Sequence, residues 1–169
     1  KPETPLRRGF SYPRRFSLVM SLPADLLIRA RWIIPVEPAR TVLEHHAVVV
    51  NAGKIAAVLP ERDALERYTP AREVSLDRHV LIPGLINLHC HAAMTLLRGI
   101  ADDTPLMAWL QEHIWPAEAK HVSPDFVRDG TLLACAEMLR GGITCFNDMY
   151  FFPEAAAVAV AEAGMRAVI

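Results

Sequence analysis

Apolar and polar positions along the chain change rhythm near residue 80. Before it, apolar residues come in short β-rich runs: Asp25 to Ile34, stopped by Pro35 and Pro38; Ala47 to Val50; Lys54 to Leu59; and Glu73 to Leu76. Asn51-Ala52-Gly53 is turn chemistry, so the second and third runs read as a hairpin. Asp63 to Tyr68 reads as a short helical turn. Strands at this spacing, separated by turn signals, predict a small β-sandwich over residues 24–80. His45, His46 and His79 lie in it, and they read as surface or turn residues with no partner pattern for a ligand role.

Beyond residue 80 the period lengthens. Pro83-Gly84 interrupts an apolar run and marks a crossover, after which Leu85 to about His89 reads as a buried strand. Thr104-Pro105 opens a helix carrying Leu106, Trp109, Leu110 and Ile114 at helical spacing, with Trp115-Pro116 as its end. Ser123-Pro124-Asp125 has N-cap chemistry for the next helix, which Gly141-Gly142 stops. Ile143 to Asp148 is a second strand, Pro153 opens an alanine-rich helix closed by Gly164, and Met165 onward starts a third strand. The order β, α, β, α, β predicts a parallel α/β arrangement over residues 81–169.

Chemistry concentrates at the end of the first of these strands. His89 and His91 are spaced i and i+2, so on an extended strand both imidazoles leave one face while Cys90 leaves the other. Such a pair at a strand end, followed by the small residues Ala92 and Ala93, points to metal binding. A lone histidine is more often an ordinary hydrogen-bonded side chain.

The stretch Pro83-Gly-Leu-Ile-Asn-Leu-His89-Cys-His91, continued as Ala-Ala-Met-Thr-Leu-Leu-Arg-Gly, resembles the opening of the metal-dependent amidohydrolase superfamily. There Pro-Gly, two apolar residues and His-x-His close the first strand of a (β/α)8 barrel. The branch resembled contains 5-methylthioadenosine/S-adenosylhomocysteine deaminases and triazine hydrolases, and the resemblance runs from about Ala24 to Ile169. It implies an α/β fold: the first strands and helices of a (β/α)8 barrel, preceded by half of a sandwich whose other strands follow the barrel. It also implies one zinc ion held by His89 and His91, with further ligands (a His, a His-x-x-Glu and an Asp) on later strands. No such set occurs within residue 169, and His113 and His121 do not replace it. Since such a barrel takes roughly 250 residues, the chain is expected to be the front of a longer protein, competent only as part of it. In the resembled deaminases a Glu in a similar Trp-Pro-x-Glu context accepts hydrogen bonds from both ribose hydroxyls, a role that falls here to Glu118. A carboxylate suits a vicinal diol because it only accepts.

The implied activity is hydrolytic deamination of the adenine ring of 5-methylthioadenosine and/or S-adenosylhomocysteine. The nearest alternative is a triazine or other base hydrolase of the same superfamily, and an alternative of another class is a catalytically inactive scaffold. Asp148 reads as structural or as support for the histidines, Trp109 and Trp115 as core rather than an adenine pocket, and Arg98 and Met94 carry no assigned role.

Composition changes little in this picture. Of 169 residues, 52% are hydrophobic and 22% charged, as in a globular protein. A formal net charge of −1 gives no hint of attraction to nucleic acid or membrane. The resemblance implies a small nucleoside as the partner, with a homo-oligomer allowed. Cys90, Cys135 and Cys145 are an odd number, which argues against a disulfide scaffold and for a reducing, cytoplasmic setting, and they form no Cys-x-x-Cys of the kind that holds zinc in another deaminase architecture. Residues 1–23 carry Lys1, Arg7, Arg8, Arg14 and Arg15 against Glu3 and read as a disordered basic extension or tag.

Overall fold

A computed structural model describes residues 21–169. The basic extension expected over residues 1–23 therefore lies outside the described residues up to position 20, and its last residues, Leu22 and Pro23, begin the first strand instead. The chain divides into two compact units between Ile82 and Pro83.

The first unit is one four-stranded sheet, in the order β3-β2-β1-β4. It comprises β1 (Leu22–Ile33), β2 (Leu43–Asn51), β3 (Lys54–Pro60) and β4 (Tyr68–Leu81), with the helix α1 (Glu61–Arg67) between the last two. β1 pairs antiparallel with β2 and parallel with β4. The β2–β3 hairpin turns on Ala52 and Gly53, both with positive φ, and the Asp25 carboxylate accepts from the Ala52 N–H at 2.6 Å. Ala64 of α1 packs with Leu27, Ala47 and Val49, giving one face of the sheet its core.

β4 is far longer than the Glu73–Leu76 run expected. Its pairing with β1 steps from Leu76 opposite Ala30 to Val80 opposite Trp32, a bulge that absorbs the polar run Asp77-Arg78-His79. That run breaks the alternation in the sequence without ending the strand. His79 accordingly lies in β4, and His45 and His46 in β2, rather than in turns. Leu81 closes β4 instead of opening the second unit, and its carbonyl accepts from the Ile34 N–H.

The second unit is a three-stranded parallel sheet of β5 (Leu85–Cys90), β6 (Ile143–Asp148) and β7 (Arg166–Val168), ordered as in the sequence. Gly84 is required at the entry to β5, because a Cβ there would lie 2.2 Å from the Thr144 hydroxyl. The crossovers are α4 (Pro124–Arg140) and α5 (Pro153–Ala163). Ser123 caps α4 by accepting from the Phe126 N–H at 3.1 Å. Ala134, Cys135 and Met138 of α4, Val160 of α5 and Phe146 of β6 form the core. α4 also closes on the 3₁₀ segment Ala92–Leu97, where a Cβ on Gly130 would lie 2.6 Å from the Ala93 carbonyl oxygen.

The helix opened by Thr104-Pro105 does not end at Trp115-Pro116. It runs as α2 (Leu106–Ala108), a π-helical stretch (Trp109–Ile114) and α3 (Trp115–His121). The Trp115 N–H reaches the Leu110 carbonyl five residues back, and this wider turn accommodates Pro116, whose ring would clash in a regular α-turn.

Candidate active site

β5 delivers its last residues to the carboxyl edge of the parallel sheet, where (β/α)8 proteins place their chemistry. The His89 and His91 rings lie side by side there, centroids 5.1 Å apart and planes at 76°. Two neighbouring segments hold this end. Asn147 donates to the Leu88 carbonyl, and the Met149 N–H donates to the Cys90 carbonyl at 3.1 Å. The His91 Nδ1–H donates to the Met149 carbonyl, which leaves Nε2 with its lone pair. Asp148, only 5% exposed, accepts from the Ala92 N–H at 2.8 Å and fixes the turn just after the histidines. That is a structural task; Asp148 does not cap the helix after it, α5, whose start at Phe152 carries no side-chain cap.

Cys90 turns away from the histidines and packs beside the core. Burial, with the Asp148 carboxylate second, pushes its thiol up to about 11. Burial and Asp148 raise the Cys135 thiol as well, so both cysteines sit as protonated apolar groups.

A cleft of about 650 Å³ opens above the histidines. Its walls include His89, His91, Trp109, Trp115, Glu118 and Tyr150. Glu118 is on α3 rather than in the loop expected from Trp-Pro-Ala-Glu. The π-helical stretch explains how it reaches the cleft. Trp109 and Glu118 are nine residues apart, and at about 100° per residue a regular α-helix would set them on opposite sides. The wider π turn reduces that offset, and both line the cleft. Trp109 also donates its indole N–H to the Ile100 carbonyl at 3.2 Å. Trp109, Trp115 and Met94 thus face the cleft, where sequence periodicity favoured core for the two tryptophans. His113 and His121 do not line it.

Tyr150 was not singled out by the sequence. It follows β6, its hydroxyl donates to Glu118 Oε1 at 2.8 Å, and its ring lies 6.2 Å from that of His91. Burial first, then the bond to Glu118, hold the phenol above its ordinary value, so it serves as a donor. Its place just past a strand's carboxyl end was the available signal. Arg98 forms a two-pronged pair with Glu137 of α4, tying the end of the 3₁₀ segment to that helix. Among the described residues no group of three or more His, Cys, Asp or Glu side chains could hold a metal, so the histidine pair stands without a third protein ligand here.

Parallel strands joined by helices, with a cleft at their carboxyl ends, make residues 83–169 an α/β unit of the kind that opens a (β/α)8 barrel. Within that class the amidohydrolase family profile matches residues 80–169, and the chain belongs to this family. It is 55% identical over 147 residues to a 5-methylthioadenosine/S-adenosylhomocysteine deaminase of Saccharophagus degradans, and 52% identical over 143 residues to one of Teredinibacter turnerae. These alignments cover 87% and 85% of this chain, which spans about a third of the length of those relatives (33% and 32%). An adenosine deaminase from Xanthomonas campestris, solved with bound zinc, superposes with a TM-score of 0.85 at 56% identity, covering 87% of this chain and 34% of that one. An atrazine chlorohydrolase from Arthrobacter aurescens complexed with zinc superposes at a TM-score of 0.74 over 84% of this chain and 34% of its own. At 24% identity that likeness is one of fold. No helix among the described residues is long and apolar enough to cross a membrane.

Proposed function

We propose that this chain supplies the metal-binding strand and the nucleoside-facing wall of a zinc-dependent hydrolase that deaminates the adenine ring of 5-methylthioadenosine and/or S-adenosylhomocysteine, releasing ammonia. The observation that carries the reading is that His89, His91 and Glu118 line a single cleft. The donor set suits zinc: adjacent imidazoles on one strand end, one of them oriented through Nδ1 by a backbone carbonyl, as metal-ligating histidines commonly are. His89 and His91 would hold the zinc, which when bound would lower the pKa of a water and so supply a nucleophile at neutral pH. The residues of this chain position the substrate. Glu118 accepts from the ribose hydroxyls, and the indoles of Trp109 and Trp115 offer flat apolar surface beside it. The relatives named as deaminases of these two nucleosides support the substrate class, and the zinc-bound structure from Xanthomonas campestris supports the metal.

The test is ammonia release by the full-length protein from S-adenosylhomocysteine, 5-methylthioadenosine and adenosine, and chloride release from a chlorotriazine, before and after chelation. The expected outcome is chelator-sensitive release from the thioether nucleosides, restored by zinc. Release from the triazine alone would overturn the nucleoside reading, and none from any substrate with zinc loaded would favour a scaffold role. Glu118→Ala should lower kcat/KM on the nucleosides by about 10- to 100-fold, as for loss of hydrogen bonds to a charged group. Unchanged nucleoside turnover would remove Glu118 from the site.

A further inference from the structure

We infer that Tyr150 is a positioning residue that sets the Glu118 carboxylate for the ribose, and that the dipeptide Met149-Tyr150 fixes the spacing between the metal histidines and the ribose-binding group. The inference rests on the ribose reading of Glu118. Met149 is tied to β5 twice, its N–H donating to the Cys90 carbonyl and its carbonyl accepting from His91 Nδ1. The next residue, Tyr150, donates its hydroxyl to Glu118 Oε1 at 2.8 Å across the cleft. Two adjacent residues therefore hold a metal-site imidazole with one hand and the substrate carboxylate with the other. Glu118 makes no other side-chain hydrogen bond among the described residues, so the phenol alone fixes which way the carboxylate faces. The bond occupies one lone pair of Oε1 and leaves Oε2 and the remaining pair of Oε1 for a diol. Without it the carboxylate is free to rotate, and each productive encounter must order it again. The cost belongs to ground state and transition state alike, so it falls on KM rather than on kcat.

The experiment is steady-state kinetics on the full-length zinc-loaded protein and its Tyr150→Phe, Glu118→Gln and double variants. The substrates are 5-methylthioadenosine and its 2′,3′-dideoxy counterpart. Tyr150→Phe keeps the ring and removes one oxygen. It should raise KM for the ribonucleoside by roughly five- to tenfold, in line with one partly exposed hydrogen bond to a carboxylate, with kcat and zinc content held. KM for the dideoxy substrate should not move. In the Glu118→Gln background the same change should add little, the non-additivity expected of a coupled pair. Loss of zinc in Tyr150→Phe would overturn the role, since the phenol would then act on the metal site rather than on Glu118. If Glu118→Gln raises the ribonucleoside KM while the Tyr150 variant does not, or if the Tyr150 variant affects both substrates equally, the positioning role is overturned and the ribose reading stands. If Glu118→Gln itself leaves KM unchanged, the ribose reading fails and the inference fails with it.

Discussion

Single side chains at the site divide between those that face the cleft and those that hold the cleft-facing ones still. His89 and His91 belong to the first group, Asp148 and the Met149 carbonyl to the second. Replacing either histidine with alanine removes one of the two donors this chain offers. Zinc content of the full-length protein, measured by metal analysis after dialysis, should fall well below one per chain in both variants. Retention of a full zinc in either would show that its imidazole is not a ligand. The histidine pair was legible in the sequence because a period of two on a strand is enough to place both rings together. Tyr150 was not legible, because its role depends on a bond to a residue 32 positions away on a separate helix. Glu118 was legible through the family resemblance alone, and not as a helical residue, since Trp-Pro ordinarily stops a helix and here the wide turn over Trp109–Ile114 lets it continue.

Secondary elements carry the next level of organisation, and α4 does most to support the strand end. It is capped by Ser123, lies against the Ala93 backbone at Gly130, and pairs through Glu137 with Arg98. Ser123→Ala should cost about 1 kcal/mol of stability, and Ser123→Gly only a few tenths. No loss on Ser123→Ala in chemical denaturation would mean that the hydroxyl is not what caps the helix. The Arg98–Glu137 pair has a pH signature. The bond from Arg98 holds the Glu137 carboxyl below its ordinary range, so its contribution is present above the unfolded carboxylate value and is lost as pH falls through the lowered folded value. Because both groups are solvent-exposed, the effect is small and screened by salt. The stability difference between the protein and its Arg98→Ala variant should therefore narrow from neutral pH toward the acid end of the carboxylate range, and narrow further in high salt. A difference independent of pH would mean that Arg98 acts through packing alone. Among the elements, the hairpin at Ala52-Gly53 and the capped start of α4 were legible from local chemistry. The bulge in β4 was not, because nothing local to Asp77-Arg78-His79 says that β1 will keep pairing past it.

The molecule as a whole divides at Ile82–Pro83, and only the second unit contains the histidine pair. A ligand that binds the folded state alone stabilises it by an amount set by its concentration over its dissociation constant, about 2.7 kcal/mol at a hundredfold excess. That stabilisation acts on the cooperative unit whose opening releases the ligand, not uniformly on the chain. Removing zinc from the full-length protein should therefore speed amide hydrogen exchange in β5, at Met149 and in the turn after His91, all of which are bonded to the strand end. The four-stranded sheet of the first unit should exchange at an unchanged rate, since none of its hydrogen bonds involves these residues. The His89→Ala variant, which keeps the His91 bond to Met149, should exchange at β5 like the chelated protein, and adding a chelator to it should change nothing further. Loosening of both units together on chelation would contradict this assignment, because it would make the metal a global clamp rather than a ligand of the β5 end.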